Sequence, residues 1–249
     1  MQEAIDKFTE YTNDYLEYGD MIKLKINHTL RVVNLCERIA KSLNLTEEEI
    51  YISKIIGLLH DIGRFEQWKQ YNTFRDQSSV DHADFGVEVL KKDNLIRKFI
   101  KDDSYDDIIL KSIKYHNKLE MPKDLDPKTE LFLKIIRDAD KIDILKLYAV
   151  EEFKRELDDV EFSKEVYESL LNHKCISKRD LKSKSDRMAL VLGFVFDTYF
   201  KESYRILKET KYFDIIIDIY KKKTNNEKLK EQFEEMRKII NEYIEVNLC

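Results

Sequence analysis

A chain of 249 residues that contains only five glycines and two prolines has few places to turn sharply. A β-rich fold needs frequent turn residues, so this scarcity argues against one. The charged fraction is 37%, and Lys, Glu, Leu and Ile dominate, all residues that sit comfortably in helices. The expected class is all-α: a helical bundle with further helices beyond it. An apolar fraction of 43% suffices for a substantial core. The length fits one large domain or a core with an extension.

Periodicity divides the chain. Residues 3–19 read as a short helix with Ile5, Phe8, Tyr11 and Tyr15 on one face. Asn27 is placed to cap a helix that begins at His28 and buries Val32, Leu35, Cys36, Ile39, Ala40 and Leu43. Thr46 followed by Glu49 is a capping-box pattern. It opens a helix that is apolar nearly all round, through Ile55, Ile56, Leu58 and Leu59, and that stops at Gly63. Residues 64–79 break the pattern and read as a loop with one helical turn. Ser79 or Asp81 caps a helix starting near His82, another helix spans about Tyr105–Tyr115, and Thr129–Ala139 forms one that ends at an acidic knot. Farther on, Phe162–Leu171, Tyr212–Tyr220 and Glu227–Val246 read as helices. Residues 174–186 are a polar connector, and Met188–Leu207 is apolar enough to demand burial. The expected division is a core over residues 1–150 and a helical extension over 151–249 packed on it.

The chemistry-bearing residues are concentrated in the first part. His60 and Asp61 lie side by side at the end of an apolar run, where an imidazole and a carboxylate are costly to bury unless something pairs with them. A divalent metal is such a partner, since it accepts nitrogen and oxygen ligands together. Four of the five histidines, His28, His60, His82 and His116, fall at or near expected helix ends, and the knot Arg137-Asp138-Ala139-Asp140-Lys141-Ile142-Asp143 follows them. Each alone has an ordinary explanation, such as an exposed helix end, a C-terminal cap or a solvated acidic face. His173 stands apart in a polar region and reads as a surface residue.

Taken in order, His28, His60-Asp61, His82, His116 and Asp140 resemble the HD-domain superfamily of metal-dependent hydrolases over about residues 20–150. His28, His60-Asp61 and Asp140 match the defining set, and His82 and His116 match the extra ligands of the two-metal members. The resemblance implies an HD-type helical core over residues 1–150. It also implies two divalent transition-metal ions, of Fe, Mn, Co, Ni or Zn, the first held by His28, His60, Asp61 and Asp140 and the second by adding His82 and His116. Asp61 would bridge them, and a hydroxide held by the metals would attack phosphorus. Arg64, one residue past the motif glycine, would clamp a phosphate, and Lys141 would offset its charge. Arg75, Asp76 and Asn117 are candidates to line the cleft. Asp138 and Asp143 are candidates to orient ligating imidazoles, and Trp68, Tyr71 and Phe74 to stack on a base.

The expected activity is therefore a metal-dependent phosphohydrolase or phosphodiesterase acting on a nucleotide or other small phosphate compound. The absence of a Gly-Tyr-Pro signature, and Asn117 where a second histidine would follow His116, argue against a cyclic di-GMP enzyme. The alternative is an HD-fold diiron oxygenase resembling myo-inositol oxygenase, which uses the same ligand order. Arg64 favours phosphate. A binding module that has lost catalysis need not keep all six ligands. The formal net charge of −5 and the lack of a Lys/Arg stripe disfavour nucleic acid and anionic membranes as partners. No apolar run approaches the ~18 residues of a membrane span. The first twenty residues lack a signal-peptide pattern, and three scattered cysteines form no metal-binding pair, so a reducing cytoplasm is the expected setting. A small phosphorylated substrate is the expected partner, with self-association left open.

Overall fold

The computed structural model describes residues 1–150 and 156–249. Every regular element among them is helical, in agreement with the expected class. The chain divides into two compact units, Met1–Asp140 and Lys141–Cys249. The boundary expected after residue 150 adjoins residues 151–155, which lie outside the described residues.

The first unit opens with α1 (Gln2–Asn13) and a short 3-10 turn at Leu16–Tyr18. Gly19, at φ 98°, then turns the chain into α2 (Asp20–Ser42). Helix α2 therefore begins eight residues earlier than Asn27 suggested. Ile22, Lys25, Thr29, Val32, Val33, Cys36 and Ile39 share its buried face, so the apolar repeat extends back through a lysine. His28 accordingly sits in the helix interior, fully buried, and not at an N-terminal edge.

Helix α3 (Glu47–Leu59) starts with the expected capping box, the Thr46 hydroxyl accepting from Glu49 N and the Glu49 carboxylate accepting from Thr46 N. Its residues Ile55, Ile56, Leu58 and Leu59 are almost completely buried. Each such side chain contributes roughly 1.5–3 kcal/mol of transfer free energy. Residues 60–62 form a turn, and α4 (Gly63–Tyr71) follows at once. The loop expected from residue 64 is thus helical for its first half. Its inward face hides the period, because it is built from Gly63, Phe65 and the polar Gln67. Asn72, in the left-handed region, ends α4, and a 3-10 turn at Asp76–Ser78 leads to α5 (His82–Lys91). Asp81 caps α5, accepting from Ala83 N and Asp84 N.

Helix α6 (Asp106–Tyr115) ends at His116 as expected. Helix α7 (Pro127–Ala149) does not stop at Ala139 but continues through the acidic knot and across the unit boundary. It can do so because Arg137, Asp138, Ile142, Asp143 and Leu145 are all buried, so the knot belongs to the interior and not to a solvated end. The second unit contains α8 (Lys164–Leu171), α9 (Lys184–Leu192), α10 (Lys201–Thr210), α11 (Tyr212–Lys223) and α12 (Glu227–Leu248). The apolar stretch from Met188 is divided between α9, a 3-10 turn at Gly193–Asp197 and α10. Ser183 caps α9 within the segment read as a connector. His173 is exposed, stacked 5.2 Å from Phe196. No helix among the described residues is long and apolar enough to cross a membrane.

Helices α4 and α5 touch backbone to backbone. A Cβ at Gly63 would lie 2.4 Å from the His82 carbonyl oxygen and 2.6 Å from Gly86 N, whereas one at Gly86 would meet nothing nearer than 3.4 Å. Gly63→Ala must push the two helices apart. It is expected to destabilise the fold by about 1–3 kcal/mol or more. Gly86→Ala lacks this clash and should cost distinctly less. Urea unfolding of the pair measures the difference, and equal midpoints would refute the interlock.

Candidate metal centre

Four helices and one turn of the first unit bring imidazoles and carboxylates to a single buried place. Lys25 and His28 come from one face of α2, and His60 and Asp61 from the turn after α3. His82 is the first residue of α5, His116 closes α6, and Asp140 projects from α7. His28, His60, Asp61, His82 and His116 are all buried. Two overlapping groups arise, His28/His60/Asp140 and His60/Asp61/His116, with the ligating atoms of each within 4.8 Å of one another. His28 Nε2 lies 3.1 Å from Asp140 Oδ1. Asp61 stands between the two sides. Its Oδ2 is 3.6 Å from His28 Nε2 and 3.5 Å from His60 Nε2, and its Oδ1 is 3.5 Å from His82 Nε2.

The protons on three of these rings are set by what their outer nitrogens meet. His60 Nδ1 donates to the Gly57 carbonyl at 2.8 Å, and His116 Nδ1 to the Ile113 carbonyl at 2.6 Å. His82 Nδ1 donates to Asp76 Oδ2 at 2.8 Å. A carbonyl or carboxylate oxygen only accepts, so each Nδ1 carries a proton and, in the neutral ring, each Nε2 presents a lone pair inward. His60 Nε2 is buried with no hydrogen-bond partner. His82 Nε2 and His116 Nε2 face each other at 3.2 Å, two lone pairs in a site that only a shared cation reconciles. Mixed imidazole nitrogen and carboxylate oxygen suits divalent Fe, Mn, Co, Ni or Zn. The residues present therefore fit divalent metal ions.

Electrostatics follow from the same packing. Burial works against ionisation of Asp61, but the Lys25 ammonium, together with His60, Arg64 and His82, outweighs it and holds the carboxyl well below its usual range. Asp140 is also buried and is likewise held far down by His28 and His60. Burial lowers His116 to about 3, with His82 and His60 adding to the effect, and burial and Arg64 lower His82. Both rings are thus neutral, as ligands must be. His60 differs: burial opposes its protonation, but Asp61 and Asp140 prevail and raise its pKa above the ordinary 6.5.

Several residues take roles that the sequence did not disclose. Lys25 Nζ donates to Asp61 Oδ2 at 2.6 Å and lies 5.7 Å from the centre of the Phe74 ring. The sequence hides it because Asn27 offers a helix start after it. A lysine three residues before His28, in phase with Ile22, Thr29 and Val32, was the signal. Arg64, expected to clamp phosphate, directs Nη1 to Gln67 Oε1, the Phe74 carbonyl and Asp76 Oδ1 at 2.7, 2.7 and 2.8 Å, with Nε 3.5 Å from Asp61 Oδ1. Gln67, wholly buried, was not foreseen at all. Lys141 forms an ion pair with the Asp197 carboxylate and donates to its carbonyl at 2.7 Å, so its ammonium is held by the second unit's own acceptors. Asn117 donates to Asp81, the cap of α5, at 3.0 Å. Trp68 packs on Phe74 with ring centres 4.6 Å apart and donates to the Tyr18 carbonyl, while Tyr71 is exposed. Asp138 and Asp143 are buried, and Arg75 is exposed.

A cation that binds only the folded centre must stabilise it. Addition of Mn, Co or Fe(II) to metal-free protein at about a hundred times the dissociation constant should contribute ~2.7 kcal/mol. For a chain of this size that is an upward Tm shift of roughly 5–10 °C. Because the His60 pKa is raised, the ring holds a proton to a higher pH than usual, and the metal must displace it. The shift should therefore shrink as the pH is lowered through a value above 6.5, and His60→Ala should remove it. Differential scanning calorimetry across pH checks both. An undiminished shift in His60→Ala would place the ions elsewhere.

Residues 26–145 match the family model described as the HD domain. No curated protein and no solved structure matches the chain. The matched segment begins just before His28 and ends just after Asp140, so it takes in every histidine and carboxylate of the buried centre. By that match and that centre, residues 26–145 form an HD domain, the fold of a superfamily of metal-dependent hydrolases.

Proposed function

We propose that this protein is a phosphohydrolase that cleaves a phosphoester or phosphoanhydride of a nucleotide or other small phosphate compound. In this reading it uses two divalent transition-metal ions held by His28, His60, Asp61, His82, His116 and Asp140. When bound, such a pair lowers the pKa of water and stabilises charge on the attacking and leaving oxygens at phosphorus. The observation that carries the reading is the division of Asp61, whose two oxygens face His28 and His60 on one side and His82 on the other. A carboxylate placed in this way serves two positions at once.

The chain's own residues supply the remaining needs of phosphate chemistry. Lys25 and Arg64 lie on the Phe74 ring, each 5.7 Å from its centre, and bring two positive charges against Asp61. Together they attract an anion and offset the charge that grows on its oxygens. Arg64 acts here through its charge and through the loop residues it holds. The reading assigns no phosphate contact to Lys141, whose ammonium is bound to Asp197. A cytoplasmic setting, in which a buried thiol such as Cys36 stays reduced, accords with it. The C-terminal helices are read as an extension of the HD core and not as a second catalytic domain.

Metal content of freshly purified protein, followed by a nucleotide and phosphate-ester panel on the same sample, tests the proposal. The expected result is about two metals per chain with phosphate release that His82→Ala and His116→Ala abolish. Lys25→Met should lower kcat/KM for the best substrate by about 10–100-fold, the loss of one charge-assisted hydrogen bond. Two irons with substrate-dependent oxygen consumption and no phosphate release would overturn the hydrolase reading in favour of an oxygenase.

A further inference from the structure

The segment between α4 and α5, residues 72–80, runs over the His82 side of the centre. None of its residues is fully buried. Apart from Phe74 against Trp68, what fixes it is polar. Arg64 Nη1 donates to the Phe74 carbonyl at 2.7 Å and to Asp76 Oδ1 at 2.8 Å. Gln67 Nε2 donates to Asp76 Oδ1, Ser79 Oγ and the Val80 carbonyl at 3.1, 2.9 and 3.0 Å. The Gln67 carbonyl in turn accepts from Arg64 at 2.7 Å. Two side chains of α4 thus hold the segment at both ends and in the middle.

All of this converges on one carboxylate. Asp76 Oδ1 receives Arg64 and Gln67, and Oδ2 receives His82 Nδ1 at 2.8 Å. His60 and His116 rely instead on carbonyls three residues back in their own helices, Gly57 and Ile113. Those acceptors exist whenever α3 and α6 are formed. The acceptor for His82 exists only when the segment is seated. Of the three rings whose outer nitrogen has a defined acceptor, His82 alone depends on a surface segment for its tautomer and aim.

We propose that Asp76 is a positioning residue: it fixes His82 with Nε2 turned towards His116 and Asp61, and so makes the His82/His116 side of the centre conditional on the seated segment 72–80. This rests on the reading that the His82/His116 side takes a metal. The His28/His60/Asp140 side has no link to the segment through these bonds and binds independently of it. Occupancy of the centre is then set in two stages, one fixed by helices and one by a segment held down chiefly by polar contacts. Segments with few buried apolar contacts open most readily, which makes this the point at which a substrate or a change of conditions regulates the second position.

The test uses the full chain. In 15N-labelled, metal-free protein, long-range 1H–15N correlation should show His82 as the Nδ1–H tautomer, and Asp76→Ala should lose that preference while His60 and His116 keep theirs. Calorimetric titration of the metal-free protein with MnCl2 should show two binding classes. Asp76→Ala should weaken one class by about 10–100-fold, the usual effect of removing a ligand's supporting partner, and leave the other within about 3-fold. Gln67→Leu should weaken the same class, and Asp76→Glu should restore part of the loss. Circular dichroism and the retained first class confirm that the variants fold. Equal weakening of both classes, no weakening of either, or a wild-type protein that takes a single Mn would each overturn the proposal. Two metals without phosphate release would sink the phosphohydrolase reading and leave this inference standing. Phosphate release with an unaltered second class in Asp76→Ala would do the reverse.

Discussion

His60 is closed off on its outer side by its own helix, where Nδ1 donates to the Gly57 carbonyl at 2.8 Å, and on its inner side it has only a lone pair in a buried place. That arrangement is unfavourable unless a cation stands opposite, because a buried acceptor without a partner keeps its full desolvation cost. His116 repeats the device with Ile113, three residues back. Both rings follow directly on the last turn of an α-helix, where carbonyls are otherwise short of donors. The same hydrogen bond therefore satisfies the helix end and sets the ring's tautomer, and the remainder of the centre is built around nitrogens committed in this way.

Charge is arranged to match. Asp61 is ionised against the cost of burial because Lys25 sits on one of its oxygens and Arg64 approaches the other. A buried ion pair of this kind is weak evidence for stability in itself, since desolvation offsets much of the attraction. Its consequence is electrostatic: a carboxylate that remains an anion and a cation kept beside it. A metal arriving at Asp61 competes with Lys25 for Oδ2, and the ammonium stays beside the centre as a fixed positive charge.

The residues of the centre were legible from sequence because His-Asp adjacency, ordered histidines and an acidic knot are identities, which a chain displays directly. What was less legible was where helices begin and end. Three such boundaries share a cause. In the sequence, Lys25 interrupts the apolar face of α2 and hides its start, the core residue Gln67 disguises α4 as a loop, and Arg137, Asp138 and Asp143 look solvated and hide the continuation of α7. In each case a polar side chain occupies a buried position because another polar group satisfies it, and hydropathy patterns register only the polarity. Lys25, Gln67 and Asp76 acquire their roles from partners 36, 12 and 6 residues away, a relation that periodicity does not encode.

The gathering of ligands from α2 to α7 also has a bearing on how the chain is made. His28 is more than a hundred residues ahead of Asp140, to which it is 3.1 Å away in the finished fold. At ribosomal speeds of ~5–20 residues per second, roughly 6–22 s separate the two. During that interval the early histidines have emerged without their carboxylate partner, and α2 and α3 can pack only as a partial bundle. The group His60, Asp61 and His116 is present well before Asp140, so only the His28/His60/Asp140 side must wait for α7. That side closes late, when the second half of α7 has cleared the exit tunnel, and uptake of a cation there would mark the end of synthesis of the core.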